Sequence, residues 1–209
     1  MNPTDPLDAT AKVALLKKRY VALERRIAEL WPPEFAAACA SCDAICCRPH
    51  MADEVLQSPW LQDLAAAAHG ANWHRHHVNP FCRALAESGC LLKAGKPPFC
   101  ISFYCDRLLG TVPPLQLVAN LYLSFILTEL CRLDRRRNLL ELDEKQMKDA
   151  VSLIEKKISH AETQLRQYVA FIAANDSQKA QMAVFMLADI PAVLSKTVRQ
   201  VILENRLLP

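Results

Sequence analysis

Residues 143–172 read DEKQMKDAVSLIEKKISHAETQLRQYVAFI. Within this stretch Met147, Val151, Ile154, Ile158, Ala161, Leu165, Tyr168 and Ile172 recur at alternating steps of four and three. That period lines one face of an α-helix with apolar side chains. Asp143 and Gln146 stand three residues apart just before the stripe, the spacing of a capping box. A stripe this long must be covered by other helices, so the expected fold is mostly α, with an antiparallel helical bundle.

The neighbouring sequence agrees. Pro113 opens an earlier helix whose apolar face is Leu115, Val118, Tyr122, Phe125 and Ile126. A later helix is expected from about Ser177, kinked or split by Pro191. At the other end of the chain, Val13, Leu16, Tyr20, Leu23, Ile27 and Leu30 form a second stripe, stopped by Pro32 and Pro33. This N-terminal helix either packs on its own domain or pairs with a protein partner or a second copy as a coiled coil.

All four glycines and nine of the thirteen prolines lie between Pro32 and Pro114. The expected organisation is therefore an amphipathic helix over 1–32, an irregular segment over 33–110 and a helical bundle over 111–209, together forming one compact unit. Inside the irregular segment one short helix is expected from Pro59 to His69. Ser58 can cap it, Pro59 suits its first position and Gly70 ends it. No strand period stands out there.

The same irregular segment holds eight of the nine cysteines. The first group reads Cys39-Ala-Ser-Cys42-Asp-Ala-Ile-Cys46-Cys47, and the second comprises Cys82, Cys90, Cys100 and Cys105. Free cysteines that merely fill a core are scattered, whereas clusters in turn-rich sequence point to thiolates converging on a metal. In a helical turn Cys39, Cys42 and Cys46 share a face, and Cys47 points about 100° away from Cys46. Adjacent cysteines suit two neighbouring ions or two corners of a cluster better than one small ion. Gly89 and Gly95 permit tight turns beside ligands, and Pro97-Pro98 stiffens the approach to Cys100. Soft thiolates select zinc, copper(I) or iron–sulfur clusters. Eight thiolates are twice the tetrahedral need of one zinc, so the count fits two zinc sites or iron–sulfur clusters, with iron–sulfur slightly favoured. Cys131, alone in a helical stretch, reads as a packed thiol.

The pattern Cys-x2-Cys-x3-Cys-Cys, followed by Phe-Cys82, Gly-Cys90 and Pro98-Phe-Cys100-x4-Cys105, resembles the YkgJ-type cysteine-cluster family. This family is also described as CxxCxxCC, a putative zinc- or iron-chelating domain. The resemblance spans residues 35–107 and rests most on the Cys46-Cys47 pair and the final x4 spacing. It implies metal or iron–sulfur binding through Cys39, Cys42, Cys46, Cys47, Cys82, Cys90, Cys100 and Cys105, and leaves the substrate open. Flagellin lysine N-methylases carry a similar cluster, so the alternative is an enzyme using the centre for redox or group-transfer chemistry. The chain shows no recognisable S-adenosylmethionine site.

Other donors lie close by. His50, His74, His76 and His77 are further candidate ligands, while Asp43, Asp53 and Glu54 could serve as outer acceptors or general bases. Asp134 to Arg137 read as the solvated end of the helix that begins at Pro113, and His160 as surface. No catalytic residue is singled out. A phosphate-binding glycine loop, a dinucleotide fingerprint and a nucleophile elbow are all missing from the sequence. The net charge of +3 gives no reason to expect nucleic acid as a partner. Gln116, Asn120, Ser124 and Glu129 interrupt the longest apolar stretch, which argues against a membrane span. The N-terminus lacks a signal-peptide pattern, so a cytoplasmic protein with reduced thiols is expected.

Overall fold

The computed structural model describes residues 6–31, 49–73, 82, 84–86, 89–102 and 113–189. These residues are mostly helical. In chain order they form α1 (Pro6–Leu30), α2 (Pro49–Gln57), α3 (Pro59–His69), β1 (Leu85–Ala86), β2 (Gly89–Cys90), α4 (Pro98–Ser102), α5 (Pro114–Cys131), α6 (Glu144–Asp149), α7 (Val151–Ala173) and α8 (Asp176–Asp189).

Local chemistry sets several of the ends. Ser58 is extended, and its Oγ accepts the Leu61 N–H at 3.3 Å. Pro59 takes the first helical position of α3, and Gly70, at φ 83°, closes it through a bond from its N–H to Ala66 O. Asp143 Oδ1 accepts the Gln146 N–H at 2.8 Å while Gln146 Oε1 accepts the Asp143 N–H at 2.9 Å, completing the capping box of α6. Asn175 and Gln178 exchange the same pair of bonds at the start of α8. The sequence offers this signal too, as an Asn followed three residues later by a Gln.

Three helices depart from the sequence expectation. The stretch read as one helix from Asp143 is two, because Ala150 leaves the helical conformation at φ −97° and ψ 6°. The α7 stripe also ends differently. Tyr168 is followed on the buried face by Phe171, which is fully buried, while Ile172 is 41% exposed. Both lie one helical turn beyond Tyr168, and the Phe171 ring lies beside α8, with Lys179 Nζ 5.9 Å from its centroid. Third, α5 has no single apolar face. Leu117, Leu121, Leu123, Leu127 and Leu130 are buried along with Val118, Tyr122 and Ile126, whereas Leu115 and Phe125 are only half-buried. A helix that is apolar all round is one enclosed on all sides. Accordingly α5 packs against α7, α8, α4 and α1.

Enclosure also explains the polar residues of α5. Asn120 and Ser124 are fully buried. Ser124 Oγ donates to Leu121 O at 2.7 Å, and Asn120 Oδ1 accepts from Gln116 Nε2 at 2.7 Å and from Tyr168 OH at 3.3 Å. None of the described helices is long and apolar enough to cross a membrane.

Side-chain contacts fix the helix directions. Lys157 reaches Glu129 O near one end of the α5–α7 pair and Tyr168 reaches Asn120 nearer the other, so these helices run in opposite senses. In contrast α1 runs with α7. Arg19 bonds Ser159 Oγ and both carboxylate oxygens of Glu162, and further along Leu23 and Arg26 line a groove with Leu165, Arg166 and Val169.

One buried cluster joins Tyr20 and Ile27 of α1 to Trp60, Leu61 and Leu64 of α3, to Cys82, Leu92 and Ile101, and to α5 and α7. Tyr20 meets Trp60 edge-to-face, with centroids 5.7 Å apart at 79°. Such a pair adds about 0.5–1.5 kcal/mol beyond the area it buries. The α1 stripe from Val13 to Ile27 is thus consumed inside the chain, which leaves no such face for a coiled coil. The Asp134–Arg137 stretch lies beyond α5, which stops at Cys131. Asp134 Oδ1 accepts the Arg136 and Arg137 N–H groups and Oδ2 holds Arg137 Nε at 2.7 Å, making an exposed turn.

Candidate metal centre

Of the eight cysteines expected to bind metal, the structure describes three. Cys82 is buried in the core, while Cys90 and Cys100 are exposed, and all three are thiols. Cys39, Cys42, Cys46, Cys47 and Cys105 lie outside the described residues, as do His74, His76, His77 and Asp43. His50 is the second residue of α2, and Asp53 and Glu54 lie half-buried on the same helix. Among the described residues no three His, Cys, Asp or Glu side chains gather into a metal-holding set, so Cys82, Cys90 and Cys100 do not make one by themselves.

The backbone that carries these thiols is short of regular structure. Gly89 and Cys90 pair antiparallel with Ala86 and Leu85, and Leu91 N–H continues the contact to Ala84 O at 2.8 Å. The sequence reading, which expected no strand here and a turn at Gly89, missed this two-residue ladder. Period arguments need more than two residues to register. Pro98 opens α4, and the Cys100 N–H bonds Pro97 O at 2.9 Å.

Between Cys90 and Cys100 the chain is tied to the helices. Glu24 projects from α1 and is buried to 2% exposure. Its Oε2 accepts the Gly95 N–H and its Oε1 the Lys96 N–H, each at 2.8 Å. Burial pushes this carboxyl up, and the two N–H bonds pull it part of the way back. Gly95 has φ 73°, and a Cβ there would stand 2.8 Å from Leu61 O and 3.0 Å from Ala65 N, so α3 and this loop touch backbone to backbone. His69, in the last turn of α3, accepts the Lys93 N–H on Nε2 at 2.9 Å. Burial lowers its pKa, with Lys93 adding to the effect, and a nitrogen that accepts a hydrogen bond must be unprotonated.

Glu24 and His69 are the residues sequence reasoning missed. Glu24 had a signal, since it falls four after Tyr20 and three before Ile27 and therefore on the apolar stripe. A carboxylate in such a position needs hydrogen-bond donors. His69 carried no comparable mark.

Cys131 contrasts with Cys90 and Cys100. It is buried in α5, 3.9 Å from Tyr20 OH. Burial pushes its thiol up to about 12, against the pull of the Tyr20 bond. A thiol held neutral in this way is a poor ligand and a poor nucleophile. Among the described residues, Cys90 and Cys100 by contrast face solvent in the turn-rich segment, and exposed thiolates are of the donor type that soft metals take.

Comparison with family models, curated proteins and solved structures finds no match.

Proposed function

We propose that the protein binds a metal centre, an iron–sulfur cluster or zinc, through Cys39, Cys42, Cys46, Cys47, Cys82, Cys90, Cys100 and Cys105. Its role is structural, carrier or redox. The carrying observation is the distribution of thiols: eight of nine crowd into glycine- and proline-punctuated sequence, and the ninth is packed in a helix. Exposed Cys90 and Cys100 on a tethered loop support the reading, because converging ligands need a held backbone. The resemblance to YkgJ-type cysteine-cluster proteins supports it further. Reduced thiols at such density fit a cytoplasmic setting. Metal and acid-labile sulfide analysis of protein purified without oxygen, from cells supplied with iron and zinc, is the test. Iron with sulfide supports a cluster, and colourless protein with stoichiometric zinc supports zinc sites. Metal-free protein overturns the proposal.

A further inference from the structure

Gly95 sits midway between Cys90 and Cys100 in sequence, and it is the best-anchored point of that loop. Three separate contacts converge there: the Glu24 carboxylate on two successive N–H groups, the close approach of Gly95 to α3, and the His69 bond to Lys93. A neutral side chain could fill the space near Gly95 without the desolvation cost of a carboxylate. What a carboxylate does that an amide cannot is accept from both N–H groups at once, one on each oxygen. That fixes two successive peptide planes, 94–95 and 95–96, and with them the directions in which the chain leaves toward each cysteine.

We propose that Glu24 is the positioning residue of the cysteine centre, holding the backbone between Cys90 and Cys100 so that both thiols reach the metal. This rests on the metal-binding reading above. A loop pinned at its midpoint has less freedom to lose when its two cysteines are ligated, so the tether raises metal affinity without touching the metal. The coupling is reciprocal: metal at the cysteines holds the loop against Glu24 as firmly as Glu24 holds the loop for the metal.

The test uses full-length protein prepared without oxygen with iron and zinc supplied, as wild type, Glu24→Gln, Glu24→Ala and Glu162→Gln. The last removes an ion-pair partner of α1 that lies away from the loop. Each is read by metal per chain, by the absorbance of the metal–thiolate centre, by competition with a graded chelator, and by amide exchange at Gly95 and Lys96. Loss of a supporting partner around metal ligands costs about 10–100-fold in affinity. Glu24→Gln, which keeps one acceptor, should fall near the lower figure and Glu24→Ala near the higher, while Glu162→Gln holds metal as wild type does. Stripping metal from the wild type should speed exchange at Gly95 and Lys96. This comparison and Glu24→Gln decide the matter if Glu24→Ala fails to fold. A merely structural Glu24 would lower melting temperature without moving chelator competition, and that result overturns the proposal. So does exchange at the two amides that is indifferent to metal. If wild-type protein takes up no metal, the metal reading falls and this one with it. If the wild type holds metal and the Glu24 variants hold it equally well, only the positioning role falls.

Discussion

Cys131 and Cys100 are the same side chain in two different regions. Cys131 sits in a helix enclosed by other helices, hydrogen-bonded to Tyr20 and held neutral by burial. Cys100 stands exposed near the start of a five-residue helix that follows a tethered loop. The helical core draws its order from buried apolar area. The cysteine segment borrows order from the core through Glu24, Gly95 and His69, and we propose that it takes the rest from metal. The difference teaches that a cysteine's role is set by the backbone that carries it. Where the chain is periodic, a thiol is packing. Where glycine and proline break the period, it is a candidate donor.

The largest effect should come from the core. Phe171 is fully buried where the α7 stripe ends, and Ile172 beside it is exposed. Phe171→Ala should cost about 3–5 kcal/mol. Ile172→Ala should cost less than about 1 kcal/mol, since little of the side chain leaves contact. Urea unfolding followed by circular dichroism checks both. Equal costs would mean that the α7 face is not placed as described.

Serine substitutions test the contrast between thiols directly. Cys131→Ser puts a hydroxyl where a weakly polar thiol was packed, and should destabilise the core by about 1–3 kcal/mol while leaving metal content unchanged. Cys46→Ser with Cys47→Ser, or Cys90→Ser with Cys100→Ser, should do the reverse. Metal is released and limited proteolysis cuts the middle segment, but most of the helical signal remains. Loss of nearly all helix in those double variants would make the cysteine centre integral to the core. Metal retained in them would remove those residues from the ligand set.

Much of the helical region was legible in the sequence because its signals are local. The α1 stripe, the Ser58–Pro59–Gly70 punctuation of α3 and the Asp143–Gln146 box each depend on residues within a turn or two, and each stands in the structure. What escaped depends on tertiary context. Whether Phe171 or Ile172 faces inward depends on what packs over the end of α7, and the extensive burial of α5 on its four neighbours. The candidate site was legible as a density of thiols. Its tether to Glu24 was not, because the carboxylate and the loop it holds are about seventy residues apart in sequence and only the fold brings them together.

A smaller effect should separate local capping from the metal. Asp143→Ala breaks both bonds of the capping box and should cost about 1 kcal/mol. A denaturant midpoint measures it, and metal content should not move. If metal is lost as well, the division between a self-sufficient core and a dependent segment is too sharp.

The smallest effect is a matter of sign, carried by two carboxylates that meet α1. Glu162 on α7 is held below its ordinary value of 4.5 by the Arg19 hydrogen bonds, partly offset by burial. A carboxyl depressed in the folded state contributes stability above its unfolded pKa and loses it as pH falls through the folded value. The pair is partly exposed, so the contribution is about 0.5–1 kcal/mol. Glu24 has the opposite sign. Burial raises it, so its contribution is complete below 4.5 and is lost as pH rises through the higher folded value. Denaturant midpoints should therefore show Glu162→Gln weaker than wild type at pH 7, with the gap closing as pH falls through the depressed folded value. Glu24→Gln removes a group whose ionisation opposes folding but also removes an acceptor from Gly95 or Lys96. With the folded value raised, wild type should lose stability relative to Glu24→Gln as pH rises through it, the sign opposite to that at Glu162. The same pH dependence in both variants would mean that the two carboxylates share an environment, and would dissolve the contrast between an ion pair on the helical surface and a buried tether to the cysteine loop.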